Sequence, residues 1–223
     1  MCRHHRHGAD APNEQSLGGE GPRAAATGDG DADPPAPVTM PRRRYLAASA
    51  AVAGAALAGC GGNGEVPAAV TLTDADSCDV CGMIITAHPG PNAEIFYANN
   101  APEGHDNPAH FCSTWEAFQY DFRKQDEGWQ REVFYVTDYS SVDYEVYTES
   151  GKTFITSHPE ASAFVDATTV TFVVRSDVNG AMGKDLIAFG EEADAEAFQG
   201  EYGGDLLSFG DVDEQTIAGL GMG

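Results

Sequence analysis

The stretch that decides the fold is "DLIAFGEEADAEAFQGEYGGDLLSF", Asp185 to Phe209. "DLIAF" reads as a strand, and Glu191 and Glu192 sit where the positive end of a helix dipole favours acid. "EEADAEAFQGEY" is built from good helix formers, Gly203 and Gly204 stop it, and "DLLSF" is a second strand. Upstream, "TTVTFVVRSDV" (Thr168 to Val178) is β-branched and aromatic and supplies a further strand. The order strand, strand, helix, strand follows for residues 168–212.

Residues 75–140 read the same way. "AEIFYA" (Ala93 to Ala98) is a strand, residues 99–108 are a loop, and "EVFYVTDY" (Glu132 to Tyr139) is the closing strand. Between them "HFCSTWEAFQYDFRKQ" carries Ser113 with Glu116 three residues on, the pattern of a capping box. It also places Trp115, Phe118 and Phe122 on one helical face, as core. The triplet "EAF" recurs at Glu116–Phe118 and Glu196–Phe198. An α+β fold of two related ββαβ units is expected, joined by residues 141–167, where "DYEVYTESGKTFITSH" predicts a hairpin around Ser150 and Gly151. Residues 213–223 read as a frayed tail.

The amino-terminal part has a different character. Residues 1–39 lack apolar periodicity and are expected to be disordered, or not translated if Met40 is the true start. Residues 40–59, "MPRRRYLAASAAVAGAALAG", have an arginine triplet, a run of small and apolar residues shorter than the roughly 20 needed to span a bilayer, and a small-residue cleavage site. This is the pattern of a twin-arginine export signal. "LAGC" resembles a lipobox, which makes Cys60 a lipidation site and tethers the chain to the outer face of the cytoplasmic membrane. Residues 60–74 read as a flexible tether. On this reading "MCRHHRHG", with Cys2, plays no part in the exported protein.

The formal charge is −23, from 12 Lys and Arg against 35 Asp and Glu. Residues 1–59 hold six of each kind, so the whole excess lies on residues 60–223. Such a surface repels nucleic acid and anionic lipid, and suits solution at high salt.

"SCDVCGMIITAHPG" (Ser77 to Gly90) gathers Cys78, Cys81, Met83 and His88. Two cysteines at this spacing fit a zinc half-site, a redox disulfide or a soft-metal cradle. Zinc would need a second pair of ligands that the scattered histidines do not supply. A thioredoxin-type motif would open a helix, whereas strand-like "GMIIT" follows. Thiolate and thioether together select monovalent copper, and Met182 in the open turn "NGAMGKD" is a candidate second thioether. Cys112, beside the helix cap, reads as a buried free thiol. No nucleophile–base set and no nucleotide loop is present, so a non-enzyme is expected.

"CDVCGMIITAHPGPNAEIFY", "HFCSTWEAF", "VRSDVNGAMGKDLIAFGEEADAEAFQGEYGGDLLSF" and the lipobox together resemble the NosL family, copper-binding lipoproteins encoded with nitrous oxide reductase. The resemblance implies two ββαβ units, a fold similar to that of the organomercurial lyase MerB. It also implies delivery of Cu(I) to the apo-reductase, with a copper-supplying component as a further partner. Position by position it implies Cys81, Met83 and Met182 as copper ligands, Cys78 and His88 ranking behind them. Two rival functions stay open: an extracytoplasmic thiol–disulfide oxidoreductase using Cys78 and Cys81, and an organomercurial-lyase-like protein in which a cysteine pair works with an acid to cleave a carbon–metal bond.

Overall fold

The computed structural model describes residues 65–221. The expected export signal, the expected lipidation site Cys60 and the Cys2 tract lie outside the described residues. Among the described residues no helix is long and apolar enough to cross a membrane.

The first ββαβ unit consists of β1 (Ala93–Tyr97), β2 (Ala109–Phe111), α1 (Thr114–Asp126) and β3 (Arg131–Thr137). β1 is central, antiparallel to β2 on one side and to β3 on the other. After β3, a hairpin of β4 (Val146–Glu149) and β5 (Lys152–Ile155) turns at Ser150 and Gly151, both at positive φ, 52° and 79°. A short β6 (Phe164–Asp166) then adds to β3, giving a sheet in the order β2-β1-β3-β6. Residues 141–167 therefore do more than connect, since they contribute strands to both sheets.

The second unit is β7 (Thr171–Gly180), β8 (Gly183–Phe189), α2 (Glu192–Tyr202) and β9 (Asp205–Ser208). Its logic repeats the first: β7 is central, with β8 and β9 antiparallel on its two sides. β9 covers only Thr171 to Val174. Beyond the irregularity at Arg175, whose φ is 59°, β5 takes over as a parallel neighbour at Val178 and Asn179.

The side-chain period of two in β7 and β8 explains their unbroken apolar reading. Phe172, Val174, Leu186 and Ala188 face the larger core, and Val173, Ile187 and Phe189 face a smaller one beneath α2. A sheet buried on both faces needs apolar residues at every position. The larger core is shared between the units. Phe118 of α1 lies 4.8 Å from the Phe134 ring of its own unit, and 5.7 and 5.4 Å from Phe172 and Phe209 of the other.

Two expectations are corrected. Residues 67–72, read as part of the tether, lie along the free face of the first sheet. Val70 N–H donates to the buried Glu94 carboxylate (3.1 Å), Leu72 N–H to the Pro159 carbonyl (2.9 Å), and Tyr135 Oη–H to the Pro67 carbonyl (2.7 Å). The tail is not frayed as far as Gly221. Asp213 caps a short helix, α3 (Glu214–Ala218), by accepting from Thr216 N–H, and Gly221 exchanges two backbone hydrogen bonds with Lys184. The reason in both cases is that short polar segments carry no periodicity and are ordered by what they pack against.

Candidate metal centre

Three pieces of chain meet at one end of α1. The first is the turn from Cys78 to Gly82, closed by Gly82 N–H donating to the Cys78 carbonyl (2.9 Å) and Cys78 N–H to the Met83 carbonyl (2.9 Å). Gly82 sits at φ +73°, where a side chain would be strained. The second is the end of β2, to which the turn is fastened. Asp79 N–H donates to the His110 carbonyl (2.9 Å), and His110 N–H donates back to the Asp79 carboxylate (2.7 Å). The third is the first turn of α1, where Ser113 Oγ accepts from Glu116 N–H.

This arrangement brings Cys78, Cys81, Cys112 and Glu116 together, their donor atoms all within 4.8 Å of one another. The Glu116 Oε2 atom is 3.1 Å from Cys78 Sγ, 3.2 Å from Cys112 Sγ and 3.5 Å from Cys81 Sγ, and the sulfurs of Cys81 and Cys112 are 3.5 Å apart. A soft ion roughly 2.3 Å from each of three thiolates sets the sulfurs roughly 4 Å apart, so the cluster fits such an ion with little movement. All three cysteines are free thiols; Cys78 and Cys112 are buried and Cys81 is partly exposed. Cys78 and Cys81 form part of the wall of an open cavity of about 940 Å³, together with Val80, Tyr120, Arg123 and Trp129.

The four groups hold one another's protons. A hydrogen bond from Cys112 lowers the Cys78 thiol to about 5, against the opposing effect of burial. Cys112 is pushed up by the same hydrogen bond and by burial. Burial, and then the charge on Cys78, raise Cys81 to about 11 and Glu116 to about 8. The cluster thus favours a single negative charge at neutral pH, centred on Cys78. A cation entering it meets one thiolate ready to bind, and displaces protons from the rest.

Of the residues proposed from sequence, Cys78 and Cys81 meet in the cluster, and Met83, Met182 and His88 lie on separate segments. Met83 is half-buried against the larger core, and its carbonyl supports the turn. Met182 lies at the β7–β8 turn and lines a different cavity with Phe154, Asn179 and Lys184. That turn is tied to the cluster's end of α1 by Asp185, fully buried, which accepts from Ser113 Oγ (2.7 Å) and Trp115 N–H (2.9 Å). Gly180 leaves room for it: a Cβ there would stand 2.3 Å from Asp185 Oδ2. His88 follows a 3-10 turn, its backbone N–H donating to the Ile85 carbonyl. Glu116, missed from sequence, stands where a capping-box glutamate belongs, but its carboxylate turns to the sulfurs.

Beside the thiols lies a second group. His105 Nε2 is 3.0 Å from Asp79, and the His105 and His110 rings stack with centroids 4.8 Å apart. Burial works against charge on His105, yet the Asp106 carbonyl and Asp79 hold its pKa above the usual histidine range; burial and then the His105 charge lower that of His110.

An α+β frame of two ββαβ units, with a thiol and carboxylate cluster where a CxxC turn meets a helix start, has the donor set of a soft-metal-binding class of protein. The comparisons with known proteins give the family. The NosL family model matches residues 69–217. The copper-binding lipoprotein NosL of Stutzerimonas stutzeri is 32% identical over 162 residues, 71% of this chain and 75% of that protein. The crystal structure of the copper chaperone NosL from Shewanella denitrificans superposes with a TM-score of 0.51 at 30% identity, covering 66% of this chain and 96% of that one. The chain belongs to the NosL family.

Proposed function

We propose that this protein binds Cu(I) at Cys78, Cys81 and Cys112 outside the cytoplasm and passes it to apo nitrous oxide reductase, held to the membrane by a lipid on Cys60. The observation that carries the copper step is the convergence of three sulfurs on one side of a carboxylate, because clustered thiolates select monovalent copper over harder ions. Delivery to the reductase rests on the family resemblance.

The unequal burial of the sulfurs suits transfer. Cys78 and Cys112 are 3% and 0% exposed and would hold the ion from within, whereas Cys81 is partly exposed at the cavity wall. A ligand of the acceptor entering from the cavity would meet the ion there and displace Cys81 first, and the ion would leave through a shared intermediate without free release. Met182 and Met83 remain candidate thioether donors.

Anaerobic Cu(I) titration against a competing chelator tests the binding step, using the parent with Cys81→Ser, Cys112→Ser and Met182→Leu. One tightly held ion per chain, weakened tenfold or more by each cysteine change, is expected. Indifference to both cysteine changes overturns the site. Mixing the loaded protein with apo-reductase, with and without the export and lipid signals, tests delivery.

A second reading is favoured by Glu116, since an acid beside a pair of thiols is what cleavage of a carbon–metal bond would require. Release of benzene from phenylmercury acetate, lost in Glu116→Gln, would support it over the non-enzymatic role.

A further inference from the structure

The three thiols are one more than a disulfide uses, and they are not equivalent. Cys78 and Cys81 both border the cavity, but Cys81 alone of the three is partly exposed, and its sulfur lies 3.5 Å from that of Cys112. Cys78 belongs to the same cluster but is the more closely held. It is buried, its sulfur lies 3.1 Å from Glu116, and its backbone is pinned on both sides by the turn's hydrogen bonds. An oxidant arriving from solvent therefore meets Cys81 first and finds Cys112 as its neighbour. To form a disulfide the two sulfurs must close from 3.5 Å to roughly 2.05 Å.

We propose that Cys81 and Cys112, and not the two cysteines of the CxxC motif, are a two-electron redox pair whose oxidant is cupric ion, so that the cluster generates Cu(I) from Cu(II). The inference rests on the copper-binding reading above. Each sulfur gives one electron to one cupric ion. The two S–H bonds break, one S–S bond forms, two protons pass to water and two cuprous ions result. Cys78 stays reduced beside Glu116. The oxidised cluster keeps one sulfur donor, and reduction of the disulfide by a small dithiol restores the other two.

The test uses the full chain, reduced and kept under argon, mixed with cupric sulfate and bathocuproine disulfonate, whose colour reports Cu(I). Remaining thiols are then alkylated and the peptides mapped by mass. Two Cu(I) per chain beyond those formed by a Cys81→Ser/Cys112→Ser double variant are expected, with the Cys81 and Cys112 peptides linked and Cys78 alkylated. In Cys112→Ser, Cu(I) should form at least tenfold more slowly. A principal link between Cys78 and Cys81, a link between chains, or undiminished reduction in Cys112→Ser overturns the proposal. The peptide map of the parent decides it even if the variant misfolds. Uptake of Cu(I) by the reduced chain with no Cys81–Cys112 link after cupric treatment sinks this inference alone; no uptake of copper in either state sinks the binding reading with it.

Discussion

The two ββαβ units share a topology and differ at one junction. In each, a strand runs directly into the helix, β2 into α1 and β8 into α2. The first junction carries Cys112 and Ser113, and the acid at the third position of its helix, Glu116, is 2% exposed among the thiols. The second carries Gly190 and Glu191, and the acid at the same helical position, Asp194, faces solvent. A Cβ on Gly190 would stand 2.7 Å from Asp138, whose carboxylate accepts the Gly190 N–H at 2.7 Å. Each junction is met by a carboxylate from the other unit, Asp185 at the first and Asp138 at the second, and only the first also meets a turn bearing sulfur. The frame is thus neutral as to chemistry, and what lies against the helix start decides whether a unit has a site.

The largest effect should come from the core that joins the units. Phe118→Ala, which removes a ring touching both, is expected to cost about 3–5 kcal/mol, read from urea midpoints. Phe198→Ala, confined to the smaller core beneath α2, should cost less. Equal losses would mean that the larger core is not shared as the ring contacts imply.

Next is a carboxyl buried in β1, in contrast to the apolar run Phe172–Val174 of β7. Burial raises Glu94 to about 8 from 4.5. The folded state therefore holds this proton more tightly than the unfolded chain, and the associated stability is lost as pH rises from about 4.5 through 8. Glu94→Gln keeps an acceptor for Val70 N–H and has no proton to lose. Measured against the parent, it should gain on the order of 4 kcal/mol between pH 5 and 9. A constant difference across that range would show that Glu94 does not titrate in the fold.

The junctions themselves are separated by smaller changes. Cys112→Ser should weaken Cu(I) binding tenfold or more, about 1.4 kcal/mol, whereas Asp194→Asn should leave it unchanged. Asp138→Ala, which orphans the Gly190 N–H, should cost about 1 kcal/mol of stability with copper affinity intact. If it weakened copper binding as well, the two junctions would be coupled rather than independent.

The paired units were legible because helices with an aromatic face and β-branched strands announce their period. The "EAF" repeat was a weaker guide. Phe118 is the fifth residue of α1 but Phe198 the seventh of α2, and Glu196 is exposed where Glu116 is buried. The strap at residues 67–72 and the short β6 were not legible, since their order comes from partners far along the chain. The same holds for half of the site. Cys78 and Cys81 stand out by spacing, but Glu116 was masked by its resemblance to a capping glutamate. Cys112 reads correctly as a buried thiol; only the pairing of Asp79 with His110 shows that the CxxC turn folds over it.

Asp185 has a consequence for how the chain could be divided. This buried carboxylate belongs to β8, yet two of its partners, Ser113 and Trp115, belong to the start of α1. Cut the polypeptide at the exposed turn of Ser150 and Gly151, and one fragment would carry an unmatched carboxylate while the other lost the anchor of its sulfur-bearing helix. Neither piece should show a cooperative thermal transition when made separately. Mixed, they should complement one another, behaving as two subunits of an obligate heterodimer that the continuous chain happens to covalently join.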